Sequence, residues 1–496
     1  MEENRFNLVD EPWIPVANEG LKSLKNVFSG NYKAIGGTPR EKISILKLLQ
    51  AIAQAAFTPK DSSEWEQSGP EELKNKCLAY LENNKAAFFL YGNKPFLQMP
   101  VEKADLKSYG YFMPEVATGN TSRLTELQTE HPTTDAERAL ILVCEMGMCL
   151  GGKKIDRKCI LSPGYDKKTS GYAGPGMCAT GLQHTFLTGR TIIETLWLNL
   201  LDKEFIKGLT HFTAGLGTPP WEKMPESENC QVAENLKNSL LGRLVPMARF
   251  CLLKEDGMHY TEGIRHKDYL SEFWDPSASI NRQKSKARML WCDPEKRPWR
   301  NLPAMLAFLD SENASSGFDC IYLKNGIERL KACENINDIG IWCGGFKVSS
   351  NAGEQYASGN DDCVESEFRL KLDDIQQSSW YSDFQREMEH LEKYERVLYS
   401  SVNSFMKAQK MDDALAKVAS GIFWEKAEGY FTELVTACIN DEGMKKLRAK
   451  FRSLVRNIYD SICPHNTARQ IQEWARYSPF GKIDDKKDTK GKSGEA

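Results

Sequence analysis

The residue types that most often carry chemistry are present in this chain, but they are not spaced for it. Cys144, Cys149, Cys159 and Cys178 fall near one another, with 4, 9 and 18 residues between them. Compact zinc sites use cysteine pairs about two to four residues apart, so this spacing predicts buried small hydrophobes. The seven histidines (His131, His184, His211, His259, His266, His390 and His465) are scattered, without an HExxH or an aspartate pair at metal spacing. Asp361 and Asp362 with Glu365 and Glu367 read as a solvated charged loop. GYAGPG, Gly171 to Gly176, lacks the lysine of a phosphate-binding GxxxxGK[ST] loop, and GLGTPPW at 215–221 lacks a GxSxG nucleophile. No catalytic residue and no metal set is assigned.

Charge in loops rises above this background. Between Glu145 and Arg190 seven basic residues (Lys153, Lys154, Arg157, Lys158, Lys167, Lys168 and Arg190) stand against three acidic ones. Between Asn281 and Arg300, seven more (Arg282, Lys284, Lys286, Arg288, Lys296, Arg297 and Arg300) face only Asp293 and Glu295. Near the carboxyl terminus Lys445, Lys446, Arg448, Lys450, Arg452 and Arg456 outnumber Asp441, Glu442 and Asp460. Local basic excess is what binding to a phosphate backbone requires.

The elements that must position these residues are legible from periodicity. FNLVDEPWIPV, Phe6 to Val16, predicts a short strand over Phe6, Leu8 and Val9, a turn at Asp10-Glu11-Pro12, and a plug made of Trp13 and Ile14 held between two prolines. Ile45, Leu48, Leu49, Ile52, Ala55 and Ala56 recur at helical spacing, with lysine and glutamine on the other face. Thr38, Pro39 and Glu41 supply its N-cap, first turn and capping box. Further helices are expected at 70–84 and 135–150, an extended IYLKNG at 321, and a loop-bearing β segment at 344–370. The long glycine-rich, basic stretch between Tyr111 and Arg190 exceeds what a mere connection needs. After about residue 375 the pattern becomes helical: one helix through Met388, Leu391, Tyr394, Val397 and Leu398, then 413–424, 425–439, 442–460 and 466–476. The fold class is α+β, a large mixed amino-terminal domain (1–373) with long glycine-rich loops and a carboxyl-terminal four-helix bundle (378–478). A disordered tail (479–496) follows.

At 496 residues, 41% hydrophobic and 27% charged, the chain has the composition of a globular protein of two or three domains. Its 65 basic and 68 acidic residues give a net charge of −3, so any nucleic-acid surface must be a local patch. The apolar run at 139–150 contains Glu145 and is shorter than the roughly 18–20 residues of a membrane span. Glu2, Glu3 and Asn4 do not resemble a secretory leader, and cytoplasmic localisation with reduced cysteines is expected.

FNLVDEPWIPV, KPFLQ at 94–98, the glycine-rich loop followed by TGR, and the later GGFK segment with its Asn-Ala step resemble the large subunit of the type I-E CRISPR surveillance complex, the CasA family of Cascade. The likeness extends over nearly the whole chain. It implies a non-catalytic subunit, without a cofactor, that recognises a protospacer-adjacent motif in double-stranded DNA, helps begin unwinding and R-loop formation, and supports recruitment of a helicase-nuclease. The implied partners are target DNA, crRNA, the other Cascade subunits and that helicase-nuclease; no membrane is involved.

By the same resemblance, motif reading falls to a glycine loop matched by Gly171, Ala173, Gly174 and Gly176. A lysine finger is matched by Lys284 or Lys286, and a wedge by Asn351, Ala352 and Gln355. Groups without bulk and one flexible ammonium suit the narrow, degenerate minor groove. Where the family pattern has Asn-Gln-Ala, this chain has Ser350-Asn351-Ala352 and then Gln355, so either amide is a candidate. The crRNA-contacting loop corresponds to part of 115–133. Lys445, Lys446, Arg448, Lys450, Arg452 and Arg456 are candidates for backbone contacts. The alternative, without the resemblance, is an enzyme of unrecognised family with a site beneath the glycine-rich loops.

Overall fold

The computed structural model describes residues 3–114, 131–149, 161–165, 175–178, 180–266, 275–281, 287–310, 314, 317–331, 333, 336–348, 362–481 and 483. The chain divides into two compact units, Met1–Pro294 with Ser315–Glu367, and Glu295–Ala314 with Phe368–Ala496. The second unit therefore takes in residues 295–314, which a single boundary near 373 leaves in the first.

The first unit opens with strand β1 (Arg5–Asn7). The amides of Asp10 and Glu11 fold back on Asn7 O at 3.0 and 2.8 Å, making the expected turn. Trp13 is fully buried, and its indole donates to Leu8 O at 3.1 Å. Strand β2 (Ile14–Val16) forms a hairpin with β3 (Gly20–Lys22), and on its other side Val16 bridges to Ile35 and Pro15 O accepts from the Gly36 amide at 2.9 Å. Helix α1 (Leu24–Ser29) follows, capped by Ser23.

Helix α2 (Pro39–Ala56) has the full capping box, with Thr38 Oγ1 accepting from the Glu41 amide and Glu41 answering at the Thr38 amide. Both of its faces are buried. Ile45, Leu49 and Ile52 pack as apolar residues do, but Lys47, Gln50 and Gln54 are also buried, at 1–2% exposure. Each polar group has a partner: Gln50 donates to Leu196 O at 3.2 Å, and Gln54 brackets Leu201 through its carbonyl and amide. Helix α3 (Ser62–Asn83) begins earlier than the expected residue 70, bending at Gly69, where φ is +62°, ahead of Pro70. Strand β4 (Phe89–Tyr91) pairs with β1, and β5 (Leu106–Lys107) lies farther on. Helix α4 (Asp135–Gly147) repeats the capping box with Thr134 and Glu137.

Strand β6 (His184–Thr188) leads into α5 (Ile192–Leu198), α6 (Lys203–Gly208), α7 (Gln231–Lys237) and α8 (Leu240–Leu244). Strands β7 (Arg249–Leu253) and β8 (Met258–Glu262) complete a sheet of order β5-β8-β7, stitched by the buried ion pair Arg249–Glu262. A short hairpin, β9 (Ile280–Asn281) with β10 (Arg288–Met289), precedes residues 295–314, which carry α9 (Leu302–Met305). The extended segment expected at 321 is instead helix α10 (Ile321–Leu330). Leu323, Ile327 and Leu330 line one helical face, a period hidden when six residues are read alone. Strands β11 (Asp338–Lys347) and β12 (Asp362–Lys371) form the expected β segment, in a sheet of order β12-β11-β6.

The second unit is a cluster of packed helices. After α11 (Leu372–Ile375) come α12 (Trp380–Ala408), α13 (Ala414–Glu428), α14 (Phe431–Ala437), α15 (Asp441–Ile462) and α16 (Ala468–Tyr477). Met388, Leu391, Tyr394 and Leu398 form the buried stripe of α12, which continues through Val402 and Phe405. Its core is aromatic: Trp299 meets Trp424 and Phe431 edge-on at 5.7 and 5.8 Å, and Trp380 stacks on Phe384. Such rings bury roughly 150–250 Å² each and dominate the stability of a small helical unit.

Candidate nucleic-acid interface

Described ends of three segments singled out in the sequence, Gly171–Gly176, 281–300 and 344–370, meet on one short strip of backbone. The strip is Thr180 to His184. Thr180 O accepts from Val348 N at 2.9 Å, within the third segment. Gly181 O accepts from Cys292 N at 2.9 Å and Gln183 N donates to Leu290 O at 3.0 Å, within the second. His184 opposes Gly344 in the β6–β11 ladder, and Ile280 and Asn281 oppose Met289 and Arg288. The strip descends directly from Pro175–Cys178, where the first segment ends. Gly181 permits this crowding. Its φ is +110°, and a Cβ there would lie 2.0 Å from Phe346 O, so only glycine fits. Cys178, Leu182, Ala278, Ile280 and Met289 form the apolar floor.

Below that floor runs a buried chain of polar side chains. Lys47 of α2 pairs with Asp275. Asp275 Oδ1 accepts from the Ser277 amide at 3.0 Å and lies 2.6 Å from the Ser277 hydroxyl. That hydroxyl is 2.8 Å from His184 Nδ1, and His184 Nε2 is 2.7 Å from Gly176 O. Lys47, Asp275, Ser277 and His184 are each at most 2% exposed. Burial pushes the His184 imidazole down to about 4, with the Lys47 ammonium acting the same way against Asp275. The Ser277 hydroxyl and amide both donate to Asp275 Oδ1, and the hydroxyl oxygen faces His184 Nδ1. Burial alone would raise the Asp275 carboxyl, but Lys47, His184 and the Ser277 hydrogen bond together hold the group down at about 2.

This cluster contains a serine, a histidine and an aspartate, and through His184 it reaches Gly176, the last glycine of GYAGPG, so it bears on the alternative enzyme reading. It is not a nucleophilic triad. Asp275 contacts the serine instead of the histidine, the second ring nitrogen is occupied by a backbone carbonyl, and no member reaches solvent. The cysteines are equally inert: burial pushes the Cys144 thiol up to about 12 and Cys149 up to about 11. Among the described residues no group of three or more His, Cys, Asp or Glu side chains could hold a metal.

Gly176 is anchored from both sides. Its amide donates to Gly147 O at 2.9 Å, its carbonyl serves His184, and a Cβ would meet Met148 Sδ at 2.5 Å. Gly171, Ala173, Gly174, Lys284, Lys286, Asn351, Ala352 and Gln355 lie outside the described residues, as do residues 115–130. The sequence offered no signal for Lys47, Asp275, Ser277 or His184, because neither their spacing nor their type forms a motif.

The basic residues of α15 divide by environment. Met444, Leu447, Phe451 and Val455 make its buried stripe. Arg448 grips the buried Glu387 of α12 with two nitrogens, Nε at 2.8 Å, and so holds helices together. Arg456 sits over Phe480 at 5.3 Å, and Arg452 is half-buried. Lys445, Lys446 and Lys450 are exposed; Lys446 pairs with Glu442 at 2.9 Å and Lys450 with Glu433 at 2.5 Å. No described helix is long and apolar enough to cross a membrane.

The first unit is of mixed α and β structure and is joined in sequence to a cluster of packed helices. The family model for CRISPR-associated protein Cse1 matches residues 7–462, and the chain belongs to that family. The CasA/Cse1 protein of Thermus thermophilus is 27% identical over 336 residues, 61% of this chain and 60% of that protein, so the match spans less than two thirds of the relative. The crystal structure of Thermobifida fusca Cse1 shares the fold with a TM-score of 0.73 and 18% identity, over 96% of this chain and 97% of that one. A chain of a CRISPR RNA-guided surveillance complex does so with a TM-score of 0.66 and 16% identity, over 96% and 99%.

Proposed function

We propose that this chain is the large, non-catalytic subunit of a type I-E RNA-guided surveillance complex, and that its first unit reads a protospacer-adjacent motif in duplex DNA. The observation that carries the proposal is the common root of three segments on Thr180–His184. A glycine-rich loop, a lysine-bearing loop and an amide-bearing loop that start from one strip present backbone, cation and wedge to the same stretch of groove. Within the first loop, contact with DNA falls to Gly171, Ala173 and Gly174, since both backbone groups of Gly176 are used internally. Either Lys284 or Lys286 enters the minor groove, and Asn351 or Gln355 with Ala352 separates the first base pairs of the target. Base pairing with crRNA then carries specificity along the opened strand, and the helicase-nuclease acts afterwards. The other Cascade subunits hold the guide.

The test is R-loop formation by the assembled complex on a closed duplex and on a target mismatched across its seed. Gly174→Leu is expected to lose capture of both targets. Asn351→Ala with Gln355→Ala is expected to fail on the closed duplex and recover on the mismatched one, having lost only work against base stacking. Equal defects of the amide variants on both targets would remove the wedge assignment.

A further inference from the structure

We propose that His184 and Ser277 are positioning residues for motif reading: with Asp275 and Lys47 they form a buried relay that fixes the root of the glycine segment relative to the root of the lysine segment. Each link is short and directional. Lys47 stands on α2, which has a full capping box and is buried on both faces. Asp275 takes the charge of Lys47 and fixes the turn into Ala278, whose amide donates to Asp275 O at 3.1 Å. Ser277 passes the constraint across to His184, and His184 delivers it to the carbonyl of Gly176. One arm thus ends at the last residue of the glycine segment. The other ends at Ser277, which leads through β9 to Asn281, beside the lysine segment.

A purely stabilising role explains this arrangement poorly. Four polar side chains buried to 2% exposure or less are costly to desolvate, and well-packed apolar residues would often serve stability as well or better. What a fully partnered network does provide is one geometry in place of several, because any slip leaves a buried group unpaired. For two loops that must meet one groove together, the quantity under control is their mutual spacing. The inference depends on those loops reading DNA as proposed above.

The experiment uses the assembled complex and compares capture of duplex with and without the motif, beside a pre-opened target. Ser277→Ala and His184→Leu are each expected to lower motif-dependent capture about tenfold and leave binding to the pre-opened target within about twofold. His184→Gln keeps an amide that can donate to Gly176 O, and is expected to stay within about threefold of wild type. The double variant Ser277→Ala/His184→Leu should be no worse than His184→Leu by more than about twofold, because both break one path. Ser277→Ala removes a single hydroxyl and carries the test if His184→Leu does not assemble. Wild-type motif preference in the Ser277 variant, or equal losses on both targets, would overturn the relay alone. A wild-type complex without motif preference would overturn the functional proposal and the relay with it.

Discussion

His184 is uncharged because of its surroundings, and that has a measurable signature. Its ring is held down at about 4 by burial, against an ordinary value of 6.5, with Lys47 lowering and Asp275 raising it. Above pH 6.5 folded and unfolded chains both carry it neutral. As pH falls below 6.5 the unfolded chain takes up a proton that the folded chain refuses, so stability declines until about pH 4 and then levels off. Between pH 7 and pH 5 this removes on the order of 2 kcal/mol. His184→Gln should lose that much less over the same interval, read from the first urea transition at each pH; parallel curves would show that the ring titrates normally. Asp275, held down at about 2, adds a second decline as pH falls from 3.8 toward 2. The glycines of the site separate in the same way. Gly181→Ala meets a backbone carbonyl and a positive φ, and should cost at least about 2 kcal/mol. Gly176→Ala meets the Met148 sulfur at 2.5 Å and, less closely than at 181, a backbone carbonyl, Gly147 O at 2.9 Å, without a positive φ, and should cost about half as much. A larger loss for the Gly176 variant in thermal melting would reverse that order.

The helices show how much of this was written in the sequence. The capping boxes of α2, α4 and α16 are local, fixed by residues three apart, so Thr38 and Glu41 announced the start of α2 correctly. What surrounds a helix is not local. Lys47, Gln50 and Gln54 have the spacing of a solvent face, and only the partners Asp275, Leu196 and Leu201, some 150 to 230 positions away, make that face interior. The same limit hid the relay and turned IYLKNG into an apparent strand. On α15 composition alone cannot tell a binding cation from a structural one, but packing can. Arg448→Met removes the close partner of the buried Glu387 carboxylate, leaving Arg386 Nε at 3.6 Å, and should destabilise the second unit by about 3 kcal/mol, seen in its melting temperature. Charge reversal at Lys445, Lys446 and Lys450 should change stability by less than about 1 kcal/mol. It should also weaken DNA binding by the complex equally for every motif, flattening the salt dependence by about one unit for each phosphate that is no longer neutralised. A changed motif preference would place the reading surface on the helical unit.

At the scale of the molecule, a net charge of −3 offers no long-range attraction for phosphate. The isolated chain should therefore bind duplex weakly and with steep salt dependence, and tightly only within the assembled complex; tight, salt-insensitive binding by the chain alone in a titration would refute this. The interleaving of the two units has a temporal consequence. Trp299 leaves the ribosome 132 residues before Phe431, its neighbour in the core of the second unit. At about 5–20 residues per second, residues 295–314 wait on the order of ten seconds or more for the helices that will cover them. In the first part of that interval, before α12 emerges, Trp299, Leu302 and Met305, all fully or almost fully buried in the finished protein, lack the helices of their own unit that pack against them. A nascent chain stalled before α13 should thus be a better client for a hydrophobe-binding chaperone than one released at its end, and a chain ending at residue 367 would remain such a client indefinitely.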